Sequence, residues 1–313
     1  MTHAPGGGWK RLAAYPLFAL ALAGAGWAIA RRGSELTDAL SQLSVWAVMG
    51  SFAFGVLAIL AMFGSWLAAI TDSGVVLPVR DGLRIYGVGQ IGKYLPGSVW
   101  PVLTQARLGR RIGISPLRMA SGATLGLAVS VCSALVLGIV LLPFSGAAAV
   151  RQLWWTPLAA IPLIVVLMPA VLNRLIVWAA RVLRRGEVES GYTLRGIGLS
   201  AGWAAVGNLF FGLHIFCLGH ALGVTSFRDY LLSVCAYSLA AAIGVLVIFV
   251  PAGAGVREGV LIAVLAPVLT VDAALAIALV SRVVLILVDV LLAVSQLRGV
   301  HGLRSPEPAL DPL

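Results

Sequence analysis

Long apolar runs separated by short polar or glycine-rich segments dominate the chain. Seven runs are long enough to cross a hydrocarbon core of about 30 Å as helices. They cover residues 12–30, 45–70, 119–142, 153–172, 197–222, 230–250 and 273–296. Three prolines within residues 153–172 predict that this span is bent. The pattern predicts an all-α fold, a polytopic bundle of helices integral to a membrane.

Two further apolar segments are interrupted by glycine and proline. Residues 85–101 read IYGVGQIGKYLPGSVWP, and residues 250–267 read VPAGAGVREGVLIAVLAP. Non-helical backbone survives at membrane depth only where protein buries it or where it lines a wet cavity. We therefore predict about 7–8 spans with two re-entrant segments near a shared midplane cavity. The alternative is two interfacial loops that only turn the chain. The residues expected at the breaks are Gly92, Pro96, Gly97, Pro251, Gly253, Gly255 and Gly259.

Composition agrees with a membrane protein. The chain has 313 residues, of which 60% are hydrophobic and 11% are charged, whereas soluble domains carry about 25% charged residues. We expect one membrane domain over residues 1–313, with a core at about 12–296 and short polar tails at 1–11 and 297–313. The net charge of +10 fits anionic lipid as a partner better than nucleic acid.

Basic residues predict the orientation. One cluster spans residues 107–118 and a second spans 174–195, with two predicted crossings between them. Both clusters therefore lie on one side, and the positive-inside rule makes that side cytoplasmic. We expect a multi-pass protein of the cytoplasmic membrane, with its N-terminus also in the cytoplasm.

Five charged residues lie in or near the breaks. Lys93 belongs to the first break and Arg257 and Glu258 to the second, while Arg282 and Asp289 are seven apart in the last run and share a helix face. We expect Glu258 to pair with Arg282, and Asp289 to pair with Arg257 or Lys93. These pairs are either purely structural or leave a basic group to bind phosphate.

Two aromatic residues flank Lys93 in the first break. If the chain is helical there, Lys93, Gly97 and Trp100 lie on one face. Lys93 is expected either to line a cavity beside Tyr94 and Trp100 or to extend its side chain past these aromatic residues to the lipid headgroups. The expected substrate-binding set is Lys93, Tyr94, Trp100, Arg257, Glu258, Arg282 and Asp289.

The sequence contains few patterns that are typical of enzymes. Gly87, Gly89 and Gly92 match a dinucleotide fingerprint, but the flanks are membrane spans and no acidic residue follows at the required distance. His214 and His220 lie six apart, without metal-ligand spacing, so a hydrogen-bonded or interfacial histidine is expected. We expect no cofactor, no bound metal and no catalytic residue.

The two broken segments carry a family resemblance. Residues 92–100, GKYLPGSVW, a basic stretch at 107–111, and residues 251–259, PAGAGVREG, resemble the flippase-like membrane domain of lysylphosphatidylglycerol synthases, over about residues 12–296. The resemblance implies a polytopic helical domain with re-entrant elements that moves a phospholipid across the membrane. The matched positions are Gly92, Lys93, Tyr94, Pro96, Gly97, Trp100, Pro251, Gly253, Gly255, Arg257, Glu258 and Gly259.

The leading hypothesis is a non-enzymatic translocase for an anionic phospholipid or a polyprenyl-linked headgroup. A second hypothesis is a membrane-embedded transferase acting on a lipid-linked substrate, with Glu258 or Asp289 as general base. A third is a non-catalytic partner of a separate synthase or glycosyltransferase. Some members of this family are fused to a cytosolic synthase domain, whereas this chain ends at Leu313 without one. We therefore expect that this chain does not make the aminoacyl lipid itself.

Overall fold

The computed structural model describes residues 37–38, 40–95, 99–145, 155–174, 191–247, 250, 253–300 and 303. The first apolar run, 12–30, lies outside these residues, as do Pro96, Gly97 and Pro251. Within the described part the regular elements are all helical. The α-helices are α1 Val45–Asp72, α2 Val79–Gln90, α3 Trp100–Arg110, α4 Pro116–Leu141, α5 Ala160–Leu167, α6 Leu194–His220, α7 Phe227–Leu246, α8 Val256–Leu265 and α9 Val271–Val300.

Five of these helices are long and apolar enough to cross a membrane. They are α1, α4 with its 3-10 extension to Ser145, α6, α7 and α9, each with a mean hydropathy of 1.5 or more over 18 residues. The predicted all-α, multi-pass membrane bundle is therefore confirmed.

The predicted span at residues 153–172 takes a different form. It consists of a 3-10 turn, Thr156–Ala159, and the eight-residue helix α5, after which Met168 is extended at ψ 133°. A residue before proline is driven out of the helical region, and Pro169 follows here. The expected bend is thus a break in the helix.

Helices α1 and α6 form the centre of the bundle. Buried Ser65 and Ser200 join them, with 3.1 Å between the two hydroxyl oxygens. Helix α4 packs against α1 through Gly122 and Gly126, whose missing Cβ atoms would lie 2.8 Å from Ile70 Cδ1 and 3.3 Å from Trp66 Cα. Small residues let helices approach closely where no water drives their association.

The ends of several helices lie near the end of α1 that carries Asp72. Its carboxylate accepts from the backbone N–H and the hydroxyl of Thr193, just before α6, at 2.8 and 2.6 Å. Gly122, near the start of α4, packs on Ile70, and Gly299, near the end of α9, packs on Arg84 of α2. Arg118 and Arg195, one from each basic cluster, therefore lie at one end of the bundle, as the positions of the two clusters predict, and Arg298 lies beside α2.

Candidate functional site

The first broken segment is a turn between two short helices. Helix α2 ends at Gln90, a 3-10 turn covers Ile91–Tyr94, and Leu95 is extended at φ −87° and ψ 143°. A Cβ on Gly92 would lie 2.7 Å from Pro101 N and 2.8 Å from Trp100 C, so glycine allows the backbone of α3 to pass against this turn. The prediction that this segment is not one straight helix is confirmed.

The common face of Lys93, Gly97 and Trp100 depends on a helical chain, and the chain is not continuously helical here. Lys93 lies in the 3-10 turn, whereas Trp100 begins α3. The extended backbone at Leu95 ends the helical rise between them, so helical spacing no longer relates their side chains. Gly97 lies outside the described residues.

Lys93 and Tyr94 converge on Asp289 of α9. Lys93 Nζ lies 2.7 Å from Asp289 Oδ2, and the Tyr94 hydroxyl donates to the same oxygen at 2.5 Å. Asp289 is fully buried. The sequence left Arg257 and Lys93 as alternative partners of Asp289, and the structure selects Lys93.

The second broken segment precedes a helix too short to cross the membrane. Helix α8 has ten residues, about 15 Å in length. Gly253 and Gly255 before it have φ values of 67° and 81°, which favour glycine. A Cβ on Gly253 would also lie 2.8 Å from Gly244 Cα in α7. The break therefore depends on both backbone conformation and close backbone contact.

Glu258 caps α8 and joins it to α9. Its Oε2 accepts from the backbone N–H of Gly255 at 2.6 Å, and its Oε1 accepts from Arg282 at 3.0 Å. The predicted pair of Glu258 and Arg282 is confirmed. Gly259, expected among the break residues, instead lies within α8 and donates to the Gly255 carbonyl at 2.9 Å, so its backbone continues the helix.

Arg257 is held by an aromatic ring. Its guanidinium carbon lies 4.5 Å from the ring centroid of Tyr237 in α7, a distance at which the ring face attracts the cation. Within the described part of the chain, Arg257 has no carboxylate within 4.0 Å. The side chain is partly exposed and borders a recess between α8 and α9. It is therefore a positioned cation facing accessible space.

Both broken segments attach to α9 near its middle. Arg282 and Asp289 lie on either side of the midpoint of this 30-residue helix, about 10.5 Å apart along its axis. The second segment contacts Arg282 through Glu258, and the first contacts Asp289 through Lys93 and Tyr94. The two segments thus place their charged residues along one stretch of one helix.

Sequence reasoning did not identify two residues of this cluster. The first is Gln90, whose side-chain oxygen accepts from Lys93 Nζ at 3.2 Å. The sequence signal for this contact was the spacing of three residues, which places two side chains side by side on a helix. Tyr237 was indicated only by being a polar aromatic residue inside an apolar run. Of the described residues, no group of three His, Cys, Asp or Glu side chains is arranged to hold a metal ion.

No protein-family model matches the chain, and a search of curated proteins finds no match.

Proposed function

We propose that the protein is a flippase-like lipid translocase of the cytoplasmic membrane. It binds an anionic or lipid-linked headgroup between the two broken segments and helps it cross the bilayer. The observation that carries this proposal is the attachment of both segments to α9 at Arg282 and Asp289, around the middle of an apolar helix. Ionisable residues at such depth are costly and face a partner or a polar cavity.

Arg257 supplies the binding group for the phosphate. The Tyr237 ring orients it, and no described carboxylate within 4.0 Å neutralises it. An arginine fork can donate two parallel hydrogen bonds to phosphate oxygens. Since Lys93 is already paired with Asp289, Arg257 is the first contact, and Lys93 becomes available when its ion pair opens.

The proposed topology has 7–8 spans, with α2–α3 and α8 belonging to re-entrant segments and the end that carries Arg118 and Arg195 in the cytoplasm. Charges at the middle of α9 and the ten-residue length of α8 support it. The resemblance to the flippase-like domain of lysylphosphatidylglycerol synthases supports the same assignment. In this arrangement the headgroup passes along about two turns of α9 while its acyl chains stay in lipid.

A membrane-embedded transferase is the second candidate. Asp289 Oδ1 is buried and has no hydrogen-bond partner among the described residues, which favours a carboxylate that accepts a proton from a substrate. Incubation of the purified protein with a lipid-linked substrate, followed by mass spectrometry, tests this directly. A covalently altered lipid would favour the transferase, and unchanged lipid favours transport.

A vesicle assay tests the translocase. The protein is reconstituted into phosphatidylcholine vesicles that contain traces of tail-labelled anionic phospholipid, and a membrane-impermeant reductant bleaches label in the outer leaflet. We expect nearly complete bleaching with protein and only outer-leaflet bleaching in empty vesicles. Arg257→Gln should slow the transfer, whereas Arg228→Gln, at an exposed position near the start of α7, should not. Equal bleaching with and without protein for all anionic lipids would refute the proposal.

A further inference from the structure

Asp289 is a buried carboxylate that uses only one of its two oxygens. Its Oδ2 lies 2.7 Å from Lys93 Nζ and accepts from the Tyr94 hydroxyl at 2.5 Å. Its Oδ1 is buried and has no hydrogen-bond partner among the described residues. The lone pairs of Oδ1 are therefore open, although the residue is fully buried and belongs to an apolar helix.

The other ionisable groups near Asp289 come from several helices. Tyr86 of α2 and Tyr237 of α7 lie close enough to interact with its charge, but Lys93 is the only described cation within 4.0 Å. Helix α1 contributes only Asp72, at its last residue. Asp289 therefore depends on Lys93 for its counter-ion. The remaining ionisable side chains of the surrounding helices have contacts of their own: Arg282 with Glu258, Arg84 with Asp81, Arg257 with the Tyr237 ring, and His214 of α6 with Ser51 and Ser281.

The ion pair keeps this depth of the bundle neutral while no headgroup is bound. A phosphate that reaches Lys93 replaces the carboxylate as its counter-ion. Lys93 can follow the phosphate, because 35% of its side chain is exposed and its other hydrogen bond is to the neutral amide of Gln90. Asp289 then keeps one donor, Tyr94. Because a buried charge without a counter-ion is costly, such a carboxylate takes up a proton and becomes neutral.

The open oxygen, Oδ1, is the atom that accepts this proton. Tyr94 keeps its hydrogen bond to Oδ2, so the carboxyl group stays in place. The proton comes from water on the side where the headgroup enters. It returns to water on the other side when Lys93 and Asp289 pair again. One negative charge of the phosphate and one proton therefore move together, and the pair remains neutral with and without its lipid.

We infer that the protein is a proton-coupled transporter in which Asp289 binds one proton for each phosphate headgroup that Lys93 takes up. This inference rests on the proposed lipid translocation and adds its driving force. A pH difference across the membrane should move the anionic lipid toward the more alkaline side. Membrane voltage should have no effect on the direction, because the coupled step carries no net charge.

The test measures the distribution of a lipid between the leaflets under a pH difference. Phosphatidylcholine vesicles with native protein contain traces of tail-labelled phosphatidylglycerol, and the lumen is more acidic than the outside by about one pH unit. The fast phase of bleaching by the impermeant reductant reports the label in the outer leaflet. We expect about nine-tenths of the label there, because one-to-one coupling allows up to about a tenfold ratio per pH unit. Nigericin, which dissipates the pH difference, should return the share to about one half, the share set by equal leaflets.

Asp289→Asn separates coupling from transport. Asparagine keeps an oxygen for the Tyr94 hydroxyl but binds no proton, so the leaflets should stay equal under the same pH difference. Asp229→Asn is the matched control. Asp229 accepts from the backbone N–H groups of Thr225 and Ser226 at the start of α7, and an asparagine oxygen can replace it there, so this variant should redistribute the lipid as the native protein does. Empty vesicles under the same gradient correct for lipid that crosses without protein.

Three results would overturn the inference and leave the proposed function standing. The first is transfer by the native protein with equal leaflets under the pH difference. The second is a distribution that follows a potassium diffusion potential, as expected for an uncoupled anion. The third is redistribution retained by Asp289→Asn. No transfer under any condition would overturn both proposals. The native protein alone supplies the first two results, so the test does not depend on the folding of a variant.

Discussion

Lys93 and Asp289 form an ion pair between the first broken segment and the middle of α9, with 2.7 Å between Nζ and Oδ2. The two sides are unequal, since 35% of the lysine side chain but only 1% of the aspartate side chain is exposed. Loss of the lysine therefore leaves a buried carboxylate without its counter-ion.

The first prediction concerns the stability of this pair. Lys93→Met should lower the free energy of unfolding by about 3 kcal/mol, the lower end expected for breaking a buried pair, because the lysine is partly exposed. Lys93→Met combined with Asp289→Asn should recover most of that loss, since the buried charge is gone. Thermal unfolding in detergent measures both variants. A double variant no more stable than Lys93→Met would contradict this account of the pair.

The second prediction separates the two roles of Glu258. Glu258→Gln keeps an amide oxygen that can accept from the Gly255 N–H, so α8 remains capped while the charge opposite Arg282 is lost. Glu258→Ala removes both contacts and should cost about 1 kcal/mol more than Glu258→Gln. The same unfolding measurement compares the variants. If they unfold at the same temperature, the contact with Gly255 does not stabilise α8.

The third prediction concerns the second break. Gly253→Ala places a Cβ 2.8 Å from the backbone of Gly244 at a residue with φ 67°. Gly113→Ala is the matched control, because Gly113 has φ 80° but nothing within 4 Å of an added Cβ. Both should lose about 1 kcal/mol from backbone strain, and Gly253→Ala about 1–3 kcal/mol more from overpacking.

The expected functional difference is larger than the difference in stability. Gly253→Ala shifts α8 and hence Arg257, so it should slow anionic-lipid transfer in vesicles, while Gly113→Ala should leave transfer at the native rate. Native transfer by a folded Gly253→Ala variant would show that the close contact with Gly244 does not position the site.

Sequence patterns identified the five spanning helices of the described residues, because transfer from water to hydrocarbon depends on local composition. The pair of Glu258 and Arg282 was also within reach, since buried charges need partners and few candidates exist in so apolar a chain. The sequence could not show that Asp289 pairs with Lys93 and not with Arg257, because this choice depends on how the two broken segments approach α9.

The remaining features required three-dimensional packing. The ring of Tyr237 under Arg257 comes from another helix, and the partners of His214 lie 163 and 67 residues away. The face that a continuous helix would give Lys93 and Trp100 does not form, because one extended residue, Leu95, ends the 3-10 turn that carries Lys93. A single backbone change of this kind leaves no clear signal in apolar periodicity.

The fourth prediction addresses the central claim, that residues of both broken segments act on one lipid headgroup. A double-mutant cycle of Lys93→Gln and Arg257→Gln, read as the rate of anionic-lipid transfer in vesicles, measures this most directly. Glutamine at position 93 retains a donor for Asp289 while removing the positive charge.

If both side chains act on the same headgroup, the effects should be non-multiplicative, with the double variant differing by more than about twofold from the product of the two single effects. Independent multiplication of the two effects, or transfer that neither variant slows, would contradict a shared site.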